Sequence, residues 1–168
     1  VDVESIKKRK FKIVVDAVNS TGGIVIPKLL QKLNVETIEL YCEPTGEFPH
    51  NPEPLKENLS DLSNMVVKEN ADLGIVVDPD VDRLAFVSDD GEVFGEEYTL
   101  VACADYYLKY NPGNTVSNLS SSRALKDISE LNNCCHYFSA VGEVNVVELM
   151  KEKNAVIGGE GNGGIILP

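Results

Sequence analysis

Short apolar runs alternate with helix-like stripes along most of the chain. "FKIVVDAV" at 11–18 is rich in β-branched residues and ends in the turn-prone "NSTGG", which predicts a strand. "IVIPKLLQKL" then carries apolar residues at helical spacing, and Pro27 within it predicts a helix that starts near the proline or bends there. "VETIELYC" predicts a second strand. A Pro-rich loop, "EPTGEFPHNPEP", leads into "LKENLSDLSNMVVKEN", whose Leu55, Leu59, Leu62 and Val66 make one helical stripe. Pro52 or Pro54 suits the first turn of that helix, where a missing N–H costs little. "DLGIVV" is the third strand. "RLAFVSDDGEVFG" reads as a hairpin of two apolar strands around an Asp-Asp-Gly turn, and a helix from Glu96 to Tyr110 closes this unit.

The "NPGN" at 111–114 is the expected domain boundary. After it the order restarts: strand "TVSNLS", helix "SRALKDISEL", strand "CCHYFSA", helix "EVNVVELMKEK", strand "AVIGG", a loop, and strand "GIIL". The expectation is therefore two similar consecutive α/β domains, residues 1–110 and 111–168. Each has a mixed sheet with flanking helices, and ligands sit at the carboxyl ends of the strands. The halves read as copies of one unit. Laying "IVVDPDVDRLAFV" over "AVIGGEGNGGIIL" puts Asp78 over Gly158, Asp80 over Glu160 and Asp82 over Asn162.

Composition narrows the partners. A net charge of −12 argues against binding a phosphate backbone, and "KKRK" at 7–10, the one basic cluster, reads as a solvated helix end. No apolar run reaches the roughly 20 residues that span a bilayer, and no signal-peptide pattern is visible. Nucleic acid and membrane are thus excluded as expected partners, and the expected location is cytoplasmic. Cys42, Cys103, Cys134 and Cys135 lack paired-knuckle spacing and read as reduced thiols. The absence of an initiator Met at Val1 and the stop after "GGIILP" suggest a piece of a longer protein, with its second domain truncated.

The densest chemistry lies in "VVDPDVDRLAFV", residues 76–87. Side chains alternate in an extended segment, so Asp78, Asp80 and Asp82 project the same way. Three such carboxylates raise one another's pKa values unless a cation intervenes. Arg83 is one neutraliser; a hard divalent cation is a better one. Magnesium takes an oxygen octahedron at roughly 2.0–2.1 Å and keeps positions open for water or phosphate. Three rivals fit less well, and the EF-hand among them fails. An acidic surface turn does not need alternating acids bracketed by apolar strands. An EF-hand needs Gly at its sixth position and a carboxylate, preferably Glu, at its twelfth; here Arg83 and Asp89 stand there and "LAFV" reads as strand. A haloacid-dehalogenase-type D-x-D nucleophile fits the fragment, but Asp89–Asp90 lies too near to be the second acidic pair of such an enzyme.

The second polar loop, "GGEGNGG" at 158–164, sets Glu160 and Asn162 among glycines that let a ligand approach the backbone. It is neither a dinucleotide nor a P-loop motif, since strand follows it and no Lys closes it. A carboxylate and an amide there suit recognition of neighbouring sugar hydroxyls; the plain alternative is a tight strand-to-strand turn.

Together, in order, these stretches resemble the α-D-phosphohexomutase superfamily of phosphoglucomutases, phosphomannomutases and phosphoglucosamine mutases. "DPDVDR" is similar to its magnesium loop, usually D-G-D-G-D-R, with Pro79 and Val81 replacing glycines. "GGEGNGG" is similar to its sugar loop, usually G-E-x-S-G-H, with Asn162 for Ser and Gly164 for His. "VDAVNSTGG", "FPHNPEPLKENL" and "VGEVNVVELM" match further stretches. The resemblance implies the second domain and most of the third of a four-domain enzyme; domains I and IV, with the phosphoserine and a phosphate-binding loop, lie outside this chain. It implies a Mg2+ cofactor on Asp78, Asp80 and Asp82, and a phosphate contact from Arg83. A hexose phosphate would be read by Glu160, Gly161, Asn162 and Gly163. The implied reaction is a 1-to-6 phosphoryl isomerisation through a bisphosphorylated sugar, with this piece alone inactive. The implied substrate is a glucose or mannose phosphate, with glucosamine phosphate the alternative. A non-catalytic sugar-phosphate or metal-binding module is the alternative of another class. His50 reads as a loop-packing or capping residue, with an active-site role the alternative, and Arg123, at the start of a helix after "NLSSS", is within reach of the cleft but stands outside the expected site set.

Overall fold

In the computed structural model, which describes residues 2–168, the first element is a helix with complementary ends. Asp2 accepts the Ser5 amide at 3.0 Å ahead of α1 (Val3–Arg9), and Lys7, Lys8 and Arg9 close its last turn, where positive charge offsets the helix dipole. The basic cluster is the expected solvated helix end.

Five strand and helix stretches then build the first sheet and its cover. They are β1 (Lys12–Asp16), α2 (Gly22–Lys32), β2 (Glu36–Leu40), α3 (Ser60–Glu69) and β3 (Leu73–Val77), and the antiparallel β4 (Leu84–Ser88) completes them. The order is β2-β1-β3-β4, with β1 parallel to both β2 and β3. The alternation of β1 splits the core between two faces, as a period of two requires. Val14 packs with Leu59, Leu62, Val66 and Val76 under α3, while Ile13 and Val15 pack with Leu30 and Val35 under α2. Burying each such side chain stabilises the unit by about 1.5–3 kcal/mol. Of the predicted stripe, Leu59, Leu62 and Val66 are fully buried, whereas Leu55 precedes a single 3-10 turn at Lys56–Asn58.

The second unit repeats this plan with α4 (Glu96–Leu108), β5 (Asn114–Asn118), α5 (Ala124–Leu131), β6 (His136–Ser139), α6 (Glu143–Lys153), β7 (Ala155–Gly159) and β8 (Ile165–Ile166). Its order, β6-β5-β7-β8, is the same arrangement with the same parallel and antiparallel pairings. Leu100, Ala104, Leu108, Leu125 and Ile157 fill one face, and Val116, Val146, Met150 and Ala155 the other. The expectation of two α/β domains with mixed sheets and flanking helices is met.

Four details differ from the sequence reading. The division falls between Gly95 and Glu96 rather than at 110/111, because α4 buries Leu100, Ala104 and Leu108 against α5 and β7. The helix α2 starts at Gly22 and runs through Pro27 rather than starting near it. Gly23 explains the early start: a Cβ there would stand 2.1 Å from the Cys42 carbonyl oxygen, so only glycine lets the helix begin this close to the strand end. The hairpin around Asp89–Gly91 shrinks to one bridge, Val87 with Val93, and β4 pairs instead with β3 across the aspartate loop. Finally, β3 and β7 both end immediately before a carboxylate, so Asp78 corresponds to Glu160, two residues beyond the Gly158 of the superposition.

Candidate active-site loops

Parallel strands deliver their carboxyl ends to one edge of a sheet. In the first unit that edge carries Asp16 at the end of β1, Tyr41 and Cys42 after β2, and Asp78 after β3. Asp78 is fully buried and its carboxylate is well supplied with donors. Oδ1 accepts the Asp82 and Arg83 amides at 3.1 Å each, and Oδ2 accepts Arg83 Nε at 2.8 Å. Burial alone would raise its pKa, but the Arg83 side chain and these amides outweigh it and hold the carboxyl below its ordinary value. Asp82 moves the other way, raised by desolvation and then by Asp78 and Asp80. Arg83 is held protonated chiefly by Asp78. Its guanidinium also lies 3.8 Å from Asp82 and from Glu53 of the Pro-rich loop.

One oxygen each from Asp78, Asp80 and Asp82 lies within 4.8 Å of the others, with Asp78 buried and the other two exposed. Adjacent ligands of a magnesium octahedron are about 2.9 Å apart, given metal–oxygen distances of roughly 2.0–2.1 Å. Rotation of the two exposed side chains spans the difference, and the donor set is all oxygen, as a hard cation prefers. Oδ2 of Asp78, with one protein donor, keeps a second lone pair. The residues present fit a divalent cation.

The sequence pattern did not single out Ser20, Thr21 or Asp16, which lie at the same sheet edge. Ser20 and Thr21 both donate their hydroxyls to the Pro79 carbonyl at 2.8 Å. Asp16 is fully buried; its Oδ1 accepts the Val18 amide at 3.0 Å and its Oδ2 lies 2.9 Å from His50 Nε2. His50 Nδ1 lies 2.8 Å from the Asn51 carbonyl, and its ring packs edge-on to Tyr41, whose hydroxyl donates to Asp61. His50 thus fastens the Pro-rich loop to the end of β1. The available signal for Asp16 was its place: it ends the first strand as Asp78 follows the third.

In the second unit Glu160 follows β7. Its Oε1 accepts from Asn118 Nδ2 and from the Gly142 amide, the latter at 2.9 Å; Oε2 accepts no hydrogen bond among the described residues. Asn118 ends β5, and its Oδ1 accepts the Ser121 amide at 3.0 Å and the Ser120 and Ser121 hydroxyls. The Gly161 amide donates to Ser121 Oγ at 2.9 Å. A Cβ on Gly161 would stand 3.1 Å from Glu97, and Gly163 takes a φ of 95°, so the glycines answer to close approach and to a left-handed turn. Asn162 is exposed, and its Oδ1 accepts the Gly164 amide at 3.1 Å. Arg123 pairs on the surface with Asp127 at 2.9 Å. All four cysteines are free. No helix among the described residues is long and apolar enough to cross a membrane.

Known proteins carry the same pair of units. Residues 1–91 match the family described as phosphoglucomutase/phosphomannomutase, alpha/beta/alpha domain II, and residues 95–168 match alpha/beta/alpha domain III. A phosphoglucomutase/phosphomannomutase of Thermococcus kodakarensis is 38% identical over the whole chain, which spans 37% of that protein. A protein of Pyrococcus horikoshii named "Probable phosphoglucosamine mutase" is 39% identical over 96% of the chain and 36% of its own length. The crystal structure of a phosphoglucomutase/phosphomannomutase family protein from Burkholderia thailandensis superposes with a TM-score of 0.87 at 29% identity, over 98% of this chain and 38% of that one. The chain therefore spans little more than a third of the proteins it resembles.

Proposed function

The chain belongs to the phosphoglucomutase/phosphomannomutase family, as its second and third α/β/α domains, and from that premise we propose that it serves a Mg2+-dependent phosphohexomutase. The reaction moves a phosphoryl group between the 1- and 6-positions of a hexose phosphate, through a phosphoserine and a bisphosphorylated sugar. Asp78, Asp80 and Asp82 hold the cation, and Arg83 binds phosphate. Glu160, Gly161, Asn162 and Gly163 read the sugar. When bound, the cation offsets negative charge that develops on the transferring group.

The chain's own residues supply position and charge. Asp78 holds Arg83 through Nε and keeps the group protonated, which leaves Nη2 for an oxyanion, while Nη1 lies 3.8 Å from Glu53. Asn118 and the Gly142 amide fix Glu160 by one oxygen, so its Oε2, which accepts no hydrogen bond among the described residues, is presented in a set direction to a hydroxyl donor. Gly161, half-exposed, keeps the backbone bare where a sugar would lie, and Gly163, which is buried, supplies the left-handed turn that sets the loop.

The observation that carries this reading is the convergence of three aspartate oxygens within 4.8 Å at the ends of parallel strands in a member of this family. Glucose and mannose phosphates are the proposed substrates. Glucosamine phosphate is the second reading, favoured by the similar identity to the Pyrococcus horikoshii protein. A coupled mutase assay of the full-length protein with all three 1-phosphates tests both. Turnover of glucose or mannose 1-phosphate, lost on Arg83→Ala, is expected; turnover of glucosamine 1-phosphate alone selects the second reading. No turnover of any, by protein that carries a phosphoserine, would leave a binding module.

A further inference from the structure

"NSTGG" is a turn by composition, yet its two hydroxyls do not serve the turn. Thr21 stands at the N-cap position of α2, where a Thr side chain ordinarily accepts an amide of the first helical turn. It makes no such bond; its φ and ψ of −61° and −29° are already helical. Its hydroxyl instead donates across the sheet edge to the Pro79 carbonyl at 2.8 Å, and Ser20 Oγ donates to the same oxygen at 2.8 Å. Pro79 is the residue between Asp78 and Asp80. Two donors on one carbonyl fix the plane of the peptide that leads into Asp80.

A second contact works to the same end. Val81, between Asp80 and Asp82, has a φ of 65°, a conformation costly for a β-branched residue. One methyl of Val81 lies 3.6 Å from where a Cβ on Gly22 would stand, and a methyl of Val77 lies 2.6 Å from that point. Bare Gly22 thus lets the loop tip settle on the start of α2. Without such restraint three mutually repelling carboxylates would splay apart, and any cation would first have to gather them.

We propose that Ser20 and Thr21 are positioning residues for the cation loop: through the Pro79 carbonyl they hold Asp80 beside Asp78 and Asp82 before a divalent cation binds. This rests on the cation reading of the loop given above. The contribution is preorganisation, so it is read in affinity for the ion and not in the identity of its ligands.

The test is Mn2+ binding to this chain, followed by the loss of the free-ion electron paramagnetic resonance signal. Wild type should bind, Asp80→Asn should not, and Ser20→Ala with Thr21→Val should bind about tenfold more weakly, the scale of one to two net hydrogen bonds. Ser20→Ala with Thr21→Ser restores one hydroxyl and should recover about half of the loss on a logarithmic scale. Thermal unfolding without metal separates affinity from folding: if the variant lacking both hydroxyls is destabilised, wild type is compared instead with Ser20→Ala carrying Thr21→Ser, which keeps one. Equal Mn2+ affinity with and without the hydroxyls, while Asp80→Asn still abolishes binding, overturns the proposal and leaves the cation reading standing. No binding by wild type overturns both.

Discussion

Acid should weaken the second unit through one histidine, and the structure sets the size of the effect. His136 on β6 stands between two hydroxyls of β5, with Nδ1 2.8 Å from Thr115 Oγ1 and Nε2 3.2 Å from Ser117 Oγ. Ser129 Oγ donates to the Leu125 carbonyl at 2.7 Å, so it accepts from Thr115 Oγ1, 2.6 Å away. Thr115 then has no proton for the ring. Nδ1–H donates to Thr115, and Nε2 accepts from Ser117. A proton on Nε2 would set two donors face to face. Burial, and then the charge of Lys126, lower the His136 pKa from 6.5 to about 4 against an upward pull from Glu130. The unfolded chain therefore takes up this proton first. The associated stability is intact above the unfolded value and is lost as pH falls from 6.5 toward 4. At about 1.4 kcal/mol per tenfold in proton affinity the ceiling is about 3 kcal/mol, and solvent at the ring's open edge reduces it to about 2. Urea unfolding should show the advantage of wild type over His136→Gln shrinking by about that amount between pH 7.5 and 4.5. Proton NMR should show the ring as the neutral Nδ1–H tautomer until near pH 4. A folded-state titration midpoint near 6.5, or an Nε2–H tautomer, would mean that the two hydroxyls do not hold the ring neutral.

Two other substitutions test the strand-end networks. Burial raises the Asp16 pKa against the pull of the Val18 amide and His50, so its favourable contribution exists below the unfolded value near 3.8 and is lost as pH rises through the folded one. Asp16→Asn keeps the acceptor for Val18 and offers Nδ2–H to His50 Nε2; it should be at least as stable as wild type at pH 7 in urea titrations, and a loss beyond about 2 kcal/mol would show that an imidazolium–carboxylate pair holds this loop. Asn118→Leu leaves Glu160 Oε1 without its side-chain donor and Ser121 without its acceptor; it should cost about 2–3 kcal/mol by thermal unfolding, and an unchanged melting temperature would show that the network adds no stability.

The strands and helices were legible because their apolar periods are unbroken, and the aspartate loop because its alternation is local. Pairings between distant strand ends were not. Nothing near Asp16 marks His50 as its partner 34 positions away, and nothing in "NLSSSR" marks Asn118 as the donor to Glu160. Those contacts exist because parallel strands collect their carboxyl ends, which a linear reading does not display. The helix α4 was misassigned for a related reason: its apolar residues suit either neighbour, and only the packing of Leu100 and Leu108 with Ile157 decides. The duplication was visible in outline, yet its register was not, since the glycines of β7 extend the strand where the superposition had already begun the loop.

We read Asp78, Asp80 and Asp82 as a magnesium loop. Asp80 is exposed and makes no hydrogen bond among the described residues, so Asp80→Asn removes a charge without removing a structural contact. Isothermal titration of Mg2+ into this chain and into that variant is the direct measurement. Wild type should bind weakly and saturably and Asp80→Asn not at all, with the circular dichroism of the two chains superimposable. An identical Mg2+ signal from both, or none from wild type, would contradict that reading.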